Sequence, residues 1–229
     1  MERVFGYLKH HPKYRIEFNV DLPHYDGLKF LTHDWKTNYP DAVDDIPPDM
    51  PASKTDEVYI TCFVDANHGA DVVTRRSVTG ILLFVNQTLV KSYSKRQNTV
   101  ETSTYGSELG AACIAVEFIL ELRYKLRMMG VKVTKPAILL VDNQAVVTHT
   151  TLPSSSLKKK HNAIAYHKVR EAVAAGIILV AYVPSKFNRA DILTKPLSPQ
   201  DFYRLLLWIL FRRTDSDSQG ELHEEVNQG

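Results

Sequence analysis

The spacing of hydrophobic positions changes several times along the chain, and each change marks an element. Residues 58–65 are almost continuously apolar and predict a strand; the period of two puts Phe63 and Asp65 on one face and Cys62 and Val64 on the other. Residues 78–86 predict a second strand and Asn86-Gln87-Thr88 a turn. Residues 89–95 alternate Leu89, Lys91, Tyr93 and Lys95 against Val90, Ser92 and Ser94, which predicts a third strand. The short connections make these three an antiparallel meander. Over 104–129 the period lengthens: Ala112, Ala115, Ile119, Leu122, Leu126 and Met129 recur every three or four residues, as in one long helix with a buried stripe that ends at Gly130.

The alternation then returns. Ala137–Val141 predicts a fourth strand that runs into Asp142, and 145–150 a short helix with Asn143 near its start. A third helix covers 161–175, with Ala165, Val169, Ala172 and Val173 on one face and Gly176 as its stop. Ile177–Val183 is a fifth strand, 188–195 a short helix ended by Pro196, and Phe202, Leu205, Leu206 and Ile209 mark a terminal amphipathic piece. The order βββαβαβα is that of an α/β domain with a five-stranded mixed sheet. The right-handed crossover rule places the fourth strand beside the first.

The flanks read differently. Residues 1–36 hold a short helical pattern (Val4, Tyr7, Leu8) and a strand-like alternation over 14–18, too little to fold alone: the tail of a preceding domain, or an extension packed on the next one. Residues 37–57 mix Pro40, Pro47, Pro48 and Pro51 with Asp41, Asp44, Asp45 and Asp49, the composition of a linker with little packing capacity. The domain proper is expected over 58–212, and 213–229 as a disordered acidic tail.

Composition narrows the classes. A net charge of +2 does not by itself argue for nucleic acid, so any basic patch has to be local. Cys62 and Cys113 lie in apolar runs and read as reduced core thiols, with no zinc-ligand spacing. No apolar run reaches the ~18 residues of a membrane span, and the N-terminus has no signal-peptide pattern. The expectation is an intracellular protein, cytoplasmic or nuclear, neither secreted nor membrane-bound.

Four acids stand out: Asp65 and Asp142 at strand ends, Glu108 on the core-facing stripe of the long helix, and Asp191 after the fifth strand. Neighbouring parallel strands would bring the first two to one rim. Clustered carboxylates suit a hard divalent cation such as Mg²⁺, and two ions ~4 Å apart can drive phosphodiester cleavage without a protein nucleophile. Each acid taken alone also fits a plainer role: a helix cap or turn for Asp65 and Asp142, a helix N-terminus for Asp191, a lysine pair for Glu108.

Several stretches together resemble the ribonuclease H domain of Copia-type retrotransposon polyproteins. They are Phe63-Val64-Asp65-Ala66, Arg76-Ser77-Val78-Thr79-Gly80, 93–100, Ser107-Glu108-Leu109, Asp142-Asn143-Gln144, Lys160-His161 with 166–171, and 190–197, all in the family's order over about 58–212. Residues 1–20 resemble the end of the polymerase's connecting segment, and no polymerase catalytic motif is present. The resemblance implies a ribonuclease H-like fold with helices on both faces of the sheet. It implies Asp65, Glu108, Asp142 and Asp191 as catalytic and metal-binding acids, with two Mg²⁺ as cofactor and Mn²⁺ as a substitute. It further implies cleavage of the RNA strand of RNA–DNA hybrids during reverse transcription, beside a reverse transcriptase domain encoded upstream. One departure is Gly106, where the family commonly has a glutamate.

A hybrid is held mainly through phosphates, with 2′-hydroxyl contacts marking the RNA strand. Arg75, Arg76, Lys95, Arg96 and Lys158 to Lys160 are candidate phosphate contacts, equally readable as a solvated basic surface. Gln97, Asn98, Thr102, Ser103, Asn143 and Gln144 are candidate polar contacts, with Asn143 also readable as a helix cap. The family often uses a mobile histidine, for which His161 in a polar loop is the better candidate; His167 reads as structural, and His68 as a solvated loop residue. The rival to an active enzyme is a truncated remnant that holds nucleic acid without turnover.

Overall fold

The computed structural model describes residues 9, 12–16, 18–157 and 160–212. The helical pattern expected around Val4–Leu8, the tail 213–229, and Lys158 and Lys159 lie outside them. A five-stranded sheet forms the centre. Its strands are β2 (Ile60–Asn67), β3 (Val78–Val85), β4 (Thr88–Arg96), β5 (Ala137–Val141) and β6 (Ile178–Tyr182), in the order β4-β3-β2-β5-β6. The meander pairs are antiparallel and the β2–β5 and β5–β6 pairs parallel, so the crossover does seat the fourth strand of this sheet beside its first. A two-residue strand β1 (Tyr14–Arg15) pairs with β7 (Phe211–Arg212) apart from the main sheet.

Burial follows the strand period. Cys62, Val64 and Ala66 face one core, with Ile81, Leu83, Leu139 and Val141, while Phe63, Leu82, Phe84 and Leu140 face another on the opposite side of the sheet. Three helices supply the first core: α1 (Thr104–Met128), α2 (Gln144–Thr151) and α3 (Ala163–Ala174). The second face is covered by a 3₁₀ turn (Arg189–Leu193), by α4 (Pro199–Leu206) with the residues after it, and by Tyr25, Leu28 and Phe30.

Two expectations need correction. The buried stripe of α1 does not run on through Met129, which is 69% exposed; its C-terminal half instead buries Arg123 and Arg127. The reason lies in the presumed linker. Asp44 accepts from Arg123 Nη2 at 2.7 Å and from Arg127 Nη1 at 3.0 Å, and the two arginines also donate to the Lys135 and Val133 carbonyls. Segment 37–57 therefore packs on the helix. Just before it, Trp35 is buried in the first core beneath the Arg170 guanidinium, 4.7 Å from the ring centroid. Described residues of 18–57 form a coat on the domain.

Candidate metal centre

The sheet register builds the site. Val64 pairs with Val141 in parallel, so the next residues, Asp65 on β2 and Asp142 just beyond β5, stand side by side on one rim. Asp191 arrives on the 3₁₀ turn. That turn is pinned by Asn188, whose Oδ1 caps Ala190 N at 3.2 Å and whose Nδ2 donates to Val64 O at 2.9 Å. It is also held by Ser94 Oγ donating to Leu193 O at 2.7 Å and by Asn67 Nδ2 donating to Thr194 O at 3.0 Å. Gly80 makes the approach possible: a Cβ there would lie 2.6 Å from Thr194 Cγ2 and 2.9 Å from Ala190 O.

Carboxylate oxygens of Asp65, Asp142 and Asp191 all lie within 4.8 Å of one another. Glu108 is outside that three-way group but faces it from the first turns of α1, where it accepts from the Ala66 backbone N–H. Asp65 is 1% exposed and Glu108 4%. Burial, then the charges of Asp65 and Asp142, push the Glu108 carboxyl up to about 9. Burial also raises Asp191 to about 6, against the hydrogen bond from Lys195 and with the repulsion of Asp65 and Asp142. Four acids packed this closely repel one another unless a cation stands among them.

The Lys195 ammonium and the Thr194 hydroxyl were not assigned a role from the sequence, although both lie in the quoted 190–197 stretch. Lys195 Nζ donates to Asp65 Oδ1 at 3.0 Å and to Asp191 Oδ1 at 2.8 Å, and Thr194 Oγ1 donates to Asp65 Oδ2. The spacing of four between Asp191 and Lys195 was the available signal. The residues fit a divalent cation: the donor set is all carboxylate oxygen, and Glu108 Oε2 and Asp142 Oδ1 are buried with no hydrogen-bond partner.

The other candidates lie in loops and near the ends of elements. Arg75 is exposed in the β2–β3 loop with a positive φ of 57°, and Arg76 is half-buried beside it. Lys95 is exposed near the end of β4, where Arg96 pairs with Asp71. Gln97 is buried rather than presented to a ligand: its Nε2 donates to Thr79 Oγ1 and Ser107 O, both at 2.9 Å, and so ties the sheet to α1. Asn143 caps α2, its Oδ1 accepting from Ala145 and Val146 N, while Gln144 is exposed. Lys160 and His161 are exposed before α3, with His161 Nε2 3.4 Å from Glu101 Oε2. Gly106, where the family commonly has a glutamate, leaves the space in which the Glu101 carboxylate lies against the first turn of α1. His167 bonds the Tyr39 hydroxyl through Nδ1 at 2.7 Å.

No protein-family model matches the chain. The retrovirus-related Pol polyprotein from transposon RE1 of Arabidopsis thaliana is 26% identical over 149 residues, which are 65% of this chain and 10% of that polyprotein. The Pol polyprotein of transposon TNT 1-94 from Nicotiana tabacum is 27% identical over 140 residues, 61% of this chain and again 10% of the relative. The chain is homologous to the Pol polyproteins of Copia-type retrotransposons. It spans about a tenth of the length of these Pol relatives. Its mixed five-stranded sheet, in the order β4-β3-β2-β5-β6 with helices packed on it, is the α/β architecture expected from the sequence. Solved ribonuclease H structures superpose loosely. The N-terminal domain of a Mycobacterium tuberculosis protein covers 66% of this Pol homologue and 97% of itself, at 13% identity and a TM-score of 0.46. Ribonuclease H1 of Halobacterium salinarum covers 60% and 94%, at 16% identity and a TM-score of 0.43. Among the described residues no helix is long and apolar enough to cross a membrane.

Proposed function

We propose that the chain is a divalent-cation-dependent endonuclease that cuts the RNA strand of RNA–DNA hybrids, working beside a reverse transcriptase domain of the same polyprotein. The observation that carries this reading is the convergence of Asp65, Asp142 and Asp191 within 4.8 Å, with Glu108 facing them and two of the carboxylate oxygens orphaned. Asp65, Glu108, Asp142 and Asp191 would hold two Mg²⁺, which supply activation of a water and stabilisation of the leaving oxygen. The chain's own residues prepare that chemistry. Thr194 fixes the Asp65 carboxylate from one side, and Lys195 offsets the charge of Asp65 and Asp191. Arg75, Arg76, Lys95 and Lys160 are placed on the exposed or half-exposed surface, where they can take phosphates. His161, exposed and 3.4 Å from Glu101 Oε2, stands on the surface where a bound strand could meet it.

The test is cleavage of end-labelled RNA in a hybrid, against duplex DNA and duplex RNA of the same sequence, in Mg²⁺ and in Mn²⁺. The expected result is cation-dependent cutting of the hybrid's RNA strand with both duplexes spared. A chain that binds hybrid and cuts it in neither metal is a silent nucleic-acid-binding remnant, and the proposal then fails.

A further inference from the structure

On the sheet face away from α1, a cavity of about 1070 Å³ opens between residues 24–31 and the segment around α4. That is the size of a small-molecule pocket. Phe63, Leu140 and Val183 form its floor, Leu205 and the exposed Trp208 one wall. None of the four acids lines it; the carboxylate in its lining is Asp26, which forms no ion pair with Arg189.

Arg189 enters this apolar space. Its guanidinium carbon lies 4.7 Å from the Phe63 ring centroid, 5.3 Å from Phe84 and 5.2 Å from Trp208. It makes one hydrogen bond among the described residues, from Nη1 to Trp208 O at 3.2 Å. A guanidinium carries five N–H donors. The other buried arginines are provided for: Arg123 and Arg127 share Asp44, and Arg170 donates to His149, Leu152 and Pro153 carbonyls and to Ser155 Oγ. Among the described residues no carboxylate is paired with Arg189. Its nitrogens are not among the sealed, unpartnered polar atoms, so the donors left over are open to solvent, and the residue lines the cavity. Lys29 and Lys186 on the rim pair with no described carboxylate, while Arg204 is held by Asp201. A half-buried cation without a counter-charge, set in aromatic walls, is costly unless an anion joins it.

We propose that this cavity binds a small amphipathic anion, a carboxylate seated on Arg189 with an aliphatic body lying over Phe63, Leu140 and Val183. The apolar floor decides against a bare phosphate, which has nothing to bury there. The unpaired guanidinium of Arg189 decides against a neutral hydrocarbon.

Decanoate tests this in the full chain, with decanol and inorganic phosphate as controls and binding read by thermal shift and by tryptophan fluorescence. Decanoate should bind saturably and raise Tm, decanol and phosphate should do neither, and Arg189→Gln should weaken decanoate at least tenfold. Should Arg189→Gln fold poorly, Trp208→Ala removes one wall from an exposed position and should also weaken binding. Equal binding of decanoate and decanol, equal binding of phosphate, or decanoate affinity unchanged in both variants overturns the proposal. Hybrid cleavage plays no part in the readout, so this inference and the proposed activity stand or fall separately.

Discussion

The Lys195 ammonium lies 3.0 Å from Asp65 Oδ1 and reaches Asp191 with the same group, so a built-in monocation sits among acids that suit a divalent one. Burial disfavours the ammonium, but its bonds and attraction to Asp191 and Asp65 raise its pKa well above the ordinary lysine value. Lys195→Ala should therefore destabilise the cation-free protein and enlarge the stabilisation gained on adding Mg²⁺. With Lys195 about a third exposed, a loss of about 1 kcal/mol is expected, or roughly 2–4 °C in Tm. Melting curves in chelator and in Mg²⁺ check this; an unchanged Mg²⁺ increment counts against it.

Glu108 should make the cation-free protein lose stability as pH rises. Its folded-state pKa is raised to about 9. Between the ordinary carboxyl value and that point the folded protein keeps a proton that the unfolded chain releases. Stability is therefore highest below the unfolded pKa and declines across the window up to about 9. Glu108→Gln carries no such proton and should melt higher than wild type at pH 8 in chelator, with a flatter Tm profile from mildly acidic to alkaline pH. Parallel profiles for the two proteins contradict this.

Gly80 has no room for a side chain. A Cβ would meet the Ala190 carbonyl at 2.9 Å and Thr194 Cγ2 at 2.6 Å, and the first of these is backbone that carries Asp191. Gly80→Ala should cost about 1–3 kcal/mol by overpacking and displace the Asp191 turn. Cleavage should then fall by more than the lost stability explains when both are measured well below Tm.

Asp44 should act as a fold residue with an acid signature. Burial pushes its carboxyl up, but the hydrogen bonds and charges of Arg127 and Arg123 outweigh that and hold it below the usual range. Its contribution is present above the unfolded carboxyl pKa and is lost as pH falls through the lowered folded value. Asp44→Ala leaves two buried arginines without their acid and should cost about 3 kcal/mol at neutral pH. The difference from wild type should shrink under acid. Urea titrations at neutral and acidic pH measure it, and an equal difference at both removes the assignment.

How much of this was legible in the sequence depended on how local the cause was. Asp65 and Asp142 could be placed together because strand period, parallel pairing and crossover hand are local or general rules. Glu108 showed itself as a carboxylate on an apolar stripe. Arg123 and Arg127 did not, because Leu122 and Leu126 offered a competing stripe and the compensating Asp44 lies 79 and 83 residues away. The proline- and aspartate-rich composition of 37–57 hid its packing for the same reason, since a partner remote in sequence leaves no periodic trace. Lys195 was within reach through its spacing from Asp191, but a single charge pair at that spacing commonly marks only a solvated helix face.

The central claim is that Asp65 belongs to a hydrolytic centre rather than to the scaffold alone. Asp65→Asn keeps one oxygen to accept from Lys195 and turns its amide N–H toward the Thr194 hydroxyl, which can accept, so the fold should survive. The most direct measurement is hybrid cleavage by the Asp65→Asn chain in Mg²⁺, with Tm recorded on the same preparation in chelator. The account predicts a loss of at least ~100-fold in rate, several kcal/mol of lost transition-state stabilisation, with Tm in chelator equal to or above that of wild type. Cleavage at the wild-type rate by a folded Asp65→Asn protein would contradict it.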